Sequence, residues 1–385
     1  MHILEIPSFF IPYGGGFCLD QAKALKGQGH QVRILSNIQL SVKKDARSFL
    51  SLPYTTKEEM MDGIQVIRHF QRGITLVIRP NVNGWVRTVQ RMFRDYVVRY
   101  GKPDVIHAHC AKWAGYAAML ISEAYDIPYV VTEHLSRMSL ETEFGKPPSD
   151  AWQVAMLRKT YQRASRVLPV AEELVTDTAC YYGDDYRWET VSNVVDTALF
   201  HYQSRKPIDD RPFVFCCLAN YDYRKGYDVL ASAFREVKTR ESRVELYVAG
   251  DGTDSKACRR LLDMEGVKIF GLLDKHEVAQ LLYQSDALVL ASRDEVQPLA
   301  VLEAMSTGIP VVTTDTVPKS LRDTDGCHTV PVDDAKALAS EMLNVCRHTD
   351  YNGRAFSEWV RRMASPEVIG ARLSEIFAEA QQQTP

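Results

Sequence analysis

Two carboxylates, Glu295 and Glu303, stand in a stretch from Asp286 to Asp315 that reads as strand, loop, helix and strand. Ala287 to Ala291 is an unbroken apolar run, the pattern of a strand buried on both faces of a parallel sheet. Ser292 to Gln297 is polar, Pro298 suits the first turn of a helix, and Gly308 with Pro310 stops that helix before Val311 and Val312. Glu295 therefore belongs to a loop at the carboxyl end of a parallel strand, where open α/β sheets take their ligands. Glu303 comes early in the helix, and because helical side chains lean toward the N-terminus its carboxylate can approach the same crevice. Two acids so placed can bracket one polar ligand; the plainer alternative is a solvated helix residue and a partner to the helix dipole.

Cationic chemistry is offered by Lys225 and its neighbour Arg224. Phe213 to Leu218 is an apolar strand, Asn220 to Lys225 a loop, and Gly226 to Lys238 has helix periodicity, which puts Lys225 at a helix N-terminus. Unpaired N–H groups and the positive dipole end add there to the ammonium charge, so a phosphate is the natural ligand. After the strand Val244 to Ala249, Gly250-Asp251-Gly252 is either a plain turn or one whose backbone N–H groups face a nucleotide. His107 and His109 alternate at the end of the strand that starts at Val105, with His109 just past it, and His134 ends another strand, Tyr129 to Thr132. Three histidines raise a metal site, but no carboxylate joins them on one element at metal-ligand spacing, so no metal is expected. A core histidine bonded to backbone is the ordinary reading of His107.

The elements that must position these groups alternate as α/β throughout. His2 to Ile6 is a strand, Pro7 to Gly16 a glycine-rich loop, Phe17 to Gly27 a helix and Gln31 to Ser36 a strand, the opening of a Rossmann-like unit. Gly14-Gly15-Gly16 lacks the G-x-G-x-x-G spacing and reads equally as a flexible loop. Val42 to Val77 gives few signals beyond an alternating strand near Gly63 to His69. From Trp85 to Tyr100, apolar residues recur at helical spacing with Arg87, Arg91, Arg94 and Arg99 between them. Such a helix either lies on an anionic bilayer or packs under the next strand with its arginines solvated. His201 to Pro212 is polar and carries Pro207 and Pro212, the composition of an interdomain linker.

The bulk properties exclude several classes. A chain of 385 residues is too long for one ordinary core and divides into two domains. A formal net charge of −3 gives no basic surface for nucleic acid. The 8 cysteines form no C-x-x-C pair and no leader precedes Ile3, which reads as reduced thiols and a cytoplasmic location, with peripheral attachment to the inner face of the membrane left open. No apolar run is long enough to span a bilayer.

Ser-Arg-Asp-Glu, Pro-Leu-x-x-Leu-Glu-Ala-Met and Gly-Ile-Pro-Val-Val in the first stretch, with Lys225-Gly226, Gly250-x-Gly252, Phe-Gly-Leu-Leu from Phe270, and Asn193 and Asp196, resemble glycosyltransferase family four. The resemblance implies the GT-B fold, two Rossmann-like α/β domains facing a central cleft. It implies residues 1–205 as an acceptor-side domain, joined by a C-terminal helix over 366–385, and 206–365 as the donor domain. Glu303 would hold the ribose of a nucleotide diphosphate sugar, Glu295 would face the transferred sugar, and Lys225 with Arg224 would meet the diphosphate. Gly15, Gly16, Gly250, Gly252, Asn220 and Leu299 would complete the donor site, His109 would touch the donor sugar, and Glu133 and His134 would lie on the acceptor side. Three departures stand out: Pro298 where many members carry glycine, Val194 where glycine is usual, and Asn220 where an arginine is common, a change for which Arg224 could compensate. The activity implied is retaining transfer to a carbohydrate or lipid-linked acceptor without an obligatory metal or cofactor. A nucleotide-sugar 2-epimerase of the same fold and a catalytically silent nucleotide-sugar binder are the alternatives.

Overall fold

A computed structural model describes the whole chain except residues 43–44, 75–76, 150, 205–210 and 383–385. It divides into two compact units, Met1–Val194 with Pro366–Pro385, and Val195–Ser365. The boundary expected at 205/206 lies outside the described residues. The division falls earlier because Val195 and Phe200, past the first unit's last residue, are buried in the second unit's core.

The first unit is built on a seven-stranded sheet in the order β3-β4-β2-β1-β5-β6-β7. Its strands are β1 (His2–Pro7), β2 (Gln31–Leu40), β3 (Thr56–Met61), β4 (Ile64–Arg72), β5 (Val105–His109), β6 (Tyr129–Glu133) and β7 (Arg166–Pro169). All pairs are parallel except β3 with β4, an antiparallel edge. β5 runs two residues further than the apolar run suggests, because it pairs with β1 as far as Pro7 and His109.

Alternation along the strands sorts side chains onto two faces. Leu4, Ile6, Ile106 and Ala108 join the core that includes Trp85, Val89 and Phe93. Those three residues belong to the helix Ile78–Tyr100, which starts earlier than its clearest apolar spacing and spends its apolar face inside the unit. The bilayer-lying alternative for this helix is thereby overturned. Ile3 and Val105 join the other core, with Leu25 of the helix Gly16–Gly27 and Leu373 and Phe377 of the helix Pro366–Gln382. These two helices approach closely: a Cβ added to Gly370 would come within 2.6 Å of the Ala24 carbonyl oxygen. Glu5, His107 and His109 share the parity of Ile3 and Val105, so this second face carries all three.

The second unit is a six-stranded parallel sheet in the order β10-β9-β8-β11-β12-β13. Its strands are β8 (Phe213–Leu218), β9 (Val244–Ala249), β10 (Val267–Gly271), β11 (Ala287–Leu290), β12 (Val311–Thr314) and β13 (Cys327–Val330). β8, β11 and β12 are buried almost throughout, as the unbroken apolar runs require. Helices Tyr227–Arg240, Lys275–Gln284 and Ala335–Arg347 contribute Phe234, Leu282 and Met342 to one core. Among the described residues no disulfide joins the cysteines. Among the described residues no helix is long and apolar enough to cross a membrane.

The fold makes the C-terminal helix part of the first unit's core. Phe377, fully buried against that sheet, should cost about 3–5 kcal/mol when cut to alanine. Urea unfolding of Phe377→Ala checks this, and a loss well under 1 kcal/mol would show that the helix does not pack there.

Candidate functional site

In each sheet the strand order reverses once, between β1 and β5 and between β8 and β11. Loops leaving the carboxyl ends of strands at such a reversal diverge and open a crevice. Lys225 follows β8 and Glu295 follows β11, so both lie at the second unit's reversal. The structure brings them into contact, with Lys225 Nζ donating to Glu295 Oε1 at 2.6 Å. Ser292 Oγ donates to the same oxygen at 2.7 Å. Assigned to the phosphate and the sugar respectively, the two groups are here direct neighbours.

Why they meet is visible in the loops. Tyr223–Lys225 is a single tight turn, capped by the Asp222 carboxylate accepting from the Arg224 N–H. Gly226 then takes a left-handed conformation, φ 60°, and a Cβ on it would sit 1.9 Å from the Ala291 carbonyl oxygen, so only glycine lets this turn approach the end of β11. Arg293 ties the loops together: its N–H donates to Arg224 O at 2.6 Å, and its guanidinium bonds Tyr223 O, both oxygens of Asp228, and Asp333. Those hydrogen bonds to carboxylates raise its pKa, keeping it charged. Arg293 was quoted only as part of a motif; its anchoring role depends on Asp333, far away in sequence.

Three residues of the donor loops have contacts that their spacing did not announce. Asn220 Oδ1 accepts from the Asp251 N–H at 3.0 Å, so this amide clamps the neighbouring turn through its oxygen. The Gly250 N–H donates to Gly271 O, and a Cβ on Gly250 would meet Ala219 O at 2.1 Å; this glycine serves chain crossing, and its N–H is already spent. Arg224 does not stand in freely for the usual arginine, since Asp222 binds it at 3.0 Å and Asp294 lies at 3.9 Å. Gly252 has φ 74°, a conformation that favours glycine. Leu299 opens the helix Leu299–Ser306 after Pro298, and Glu303 sits half-buried on that helix.

At the first unit's reversal the loop after β1 holds Gly15 and Gly16. Gly15, φ 76°, precedes the helix Gly16–Gly27, and a Cβ there would lie 2.1 Å from Phe9 O; Gly16 faces open space. Across from it, Glu5 of β1 takes His107 Nδ1 at 2.9 Å and His109 Nε2 at 2.7 Å on one carboxylate oxygen. All three residues are buried. His107 Nε2 is 2.7 Å from Thr132 Oγ1, so this histidine is held by side chains, not by backbone. The carboxylate missing from the histidine spacing thus comes from another strand, and the ligand atoms of Glu5, His107 and His109 all lie within 4.8 Å of one another. Their closest separations are those of hydrogen bonds, shorter than the ~3.3 Å edge of a tetrahedral site with bonds of ~2.0 Å. A single acid within the apolar run His2 to Ile6 is the signal that could have found Glu5, because a charge in a buried strand needs partners.

Phe17 closes over this group. Its ring stacks on His134 with centroids 3.6 Å apart and leans on His109 at 5.7 Å. His109 Nδ1 and His134 Nε2 are buried without a hydrogen-bond partner. Glu133 is held within its own loop: its oxygens take the N–H groups of Ala111, His134 and Leu135 and the Tyr161 hydroxyl. Burial by itself would raise the Glu5 carboxyl, but the His107 and His109 contacts override it and hold it at about 2. Burial, then repulsion from His107, lowers His109 to about 4 despite Glu5, and burial depresses His134 well below the ordinary histidine value.

Residues 15–194 match the family described as "Glycosyl transferase 4-like domain" and residues 212–348 the one described as "Glycosyl transferases group 1". A glycogen synthase of Mycobacterium tuberculosis is 25% identical over 333 residues, 81% of this chain and 76% of the relative. A phosphatidyl-myo-inositol mannosyltransferase of Mycolicibacterium smegmatis is 25% identical over 392 residues, 96% of this chain and 91% of the relative. Among solved structures, sucrose-phosphate synthase from Thermosynechococcus elongatus superimposes with a TM-score of 0.78 at 17% identity, covering 98% of this chain and 99% of that one. HepE of Anabaena, solved with UDP and glucose, gives 0.71 at 16% identity, covering 98% and 99%. The chain belongs to the family-four type of glycosyltransferases, with the GT-B fold.

The buried ionisable groups predict a pH response. A histidine whose folded pKa is lowered from 6.5 to about 4 resists protonation that the unfolded chain accepts, so its stabilisation is lost as pH falls through that window. Glu5, lowered from 4.5 to about 2, acts in the same direction at lower pH. Denaturant titrations should show stability falling on acidification from pH 7 to 4; a flat or rising profile would contradict the buried network.

Proposed function

We propose that the chain transfers a hexose from a nucleotide diphosphate sugar to a carbohydrate or lipid-linked acceptor, with retention of the donor's anomeric configuration. What carries this reading is the meeting of Lys225 and Glu295 at the strand-order reversal of the second unit, in a chain of this family. In the proposed mechanism the diphosphate takes the Lys225 ammonium from Glu295, and Lys225 then stabilises the charge that develops on the leaving diphosphate. The released Glu295 carboxylate faces the positive charge developing at the anomeric carbon, while Glu303 binds the ribose hydroxyls. His109 contacts the transferred sugar. The protein's own cation serves the leaving group, so no metal is required by this scheme.

The donor class is supported by HepE, which is solved with UDP-glucose as well as with UDP. One relative is named for glycogen and another for phosphatidyl-myo-inositol, and the acceptor class proposed spans both chemistries.

A thermal-shift panel of UDP-, ADP- and GDP-sugars identifies the donor. Glu303→Ala and Lys225→Ala should each weaken the corresponding nucleoside diphosphate by about 1–3 kcal/mol in calorimetry, the worth of a charged hydrogen bond. Unchanged affinity in both variants would remove the donor site from this place. Turnover should survive EDTA, and NMR of the product should show the donor's anomeric configuration; an inverted product would refute the mechanism.

A further inference from the structure

The first unit places an ion where its neighbours are aliphatic and aromatic. Glu5, His107 and His109 share a sheet face with Ile3 and Val105, whose core also takes Leu373 of the C-terminal helix, and the rings of Phe377 and His107 meet edge-on with centroids 5.1 Å apart. Replacing a buried ionic group by apolar side chains of similar volume is often neutral or stabilising, so packing alone gives no reason for this one.

Its hydrogen bonds set the protons. An ionised carboxylate only accepts, so both imidazole nitrogens facing Glu5 must carry hydrogen: Nδ1 of His107 and Nε2 of His109. His107 is completed at Nε2 by the Thr132 hydroxyl, 2.7 Å away. His109 is not completed, because Nδ1 is left as a bare acceptor, buried and without a partner.

We propose that Glu5 is a positioning residue: its carboxylate holds His109 as the Nε2–H tautomer, so that Nδ1 accepts a hydrogen bond from a hydroxyl of the transferred sugar. The inference rests on the reading that His109 meets that sugar, and it adds the polarity of the contact. The ligand group must be a donor, so a donor sugar deoxygenated or O-methylated at that hydroxyl is a poor substrate. Access requires the Phe17 ring, which follows Gly14 to Gly16, to leave its place over His109 and His134.

The test begins with a measurement that needs neither variant activity nor a known substrate. In the full-length protein labelled with ¹⁵N-histidine, His109, assigned by the signal lost in His109→Ala, should show a protonated Nε2 and an unprotonated Nδ1 at neutral pH. Glu5→Gln should convert it to a mixture of tautomers. A proton on Nδ1 in the native protein, or an unchanged tautomer in Glu5→Gln, overturns the proposal; if Glu5→Gln fails to fold, the native spectrum decides. With whichever nucleotide sugar the panel identifies, Glu5→Gln should lower kcat roughly 10- to 100-fold, the scale on which outer partners of a functional histidine act. Affinity for the free nucleoside diphosphate should stay within about twofold, and Glu5→Asp, which keeps the charge, should recover part of the loss. Full activity in Glu5→Gln beside a crippled His109→Ala overturns the role of Glu5 and leaves the functional reading standing. Full activity in His109→Ala overturns that reading of His109, and the role of Glu5 with it.

Discussion

A parallel sheet wound outward from an interior strand must reverse its strand order once, and that constraint decides where the chemistry of this chain can be. β1 and β8 are the starting strands; later strands add first on one side and then on the other. Crossovers of one hand then put successive helices on opposite faces on either side of the reversal, and the loops between them part. Gly15 and Gly16 follow β1 and His109 ends β5; Lys225 follows β8 and Glu295 follows β11. Within each unit, residues distant in sequence share a crevice because of strand order.

The two units hold charge at their own strand-order reversals in opposite ways. Lys225 keeps 23% of its side chain exposed and Glu295 8%, so the ammonium stays within reach of a second anion. Arg293 braces the backbone on both sides, which lets the side chains move while the loops stay. In the first unit Glu5 is sealed with two histidines under the helices Gly16–Gly27 and Pro366–Gln382, where removing one partner would leave a buried charge. On the proposed reading, one site trades a partner and the other holds a ring still.

Strands buried on both faces and helices with clear stops were legible in the residues. The helix Lys275–Gln284 is bounded by Asp274 and Ser285 and has a capping box, and β8 and β11 are apolar runs with polar loops after them. The edge strand Thr56–Met61 was not legible, because it is solvent-exposed along nearly its whole length and has no apolar alternation to betray it. Lys225, Glu295 and His109 could be picked by type and place. Their partners could not: Glu5 meets His109 only through the β1–β5 register, and Arg293 finds Asp333 only through the folded loops. Gly250 and Asn220 also serve the crossing of two loops, a purpose seen only in three dimensions.

The central claim is that the strand-order reversal of the second unit binds the nucleotide. Hydrogen–deuterium exchange of the full chain with and without the nucleoside diphosphate that binds tests it most directly. The account predicts new protection in segments 219–226 and 291–299, where Lys225 and Glu295 meet. The same unit holds another cavity, lined by Asp323, His328, Tyr351, Phe356 and Trp359. Protection confined to segments 323–328 and 350–362, with the Lys225 and Glu295 loops unchanged, would contradict the account.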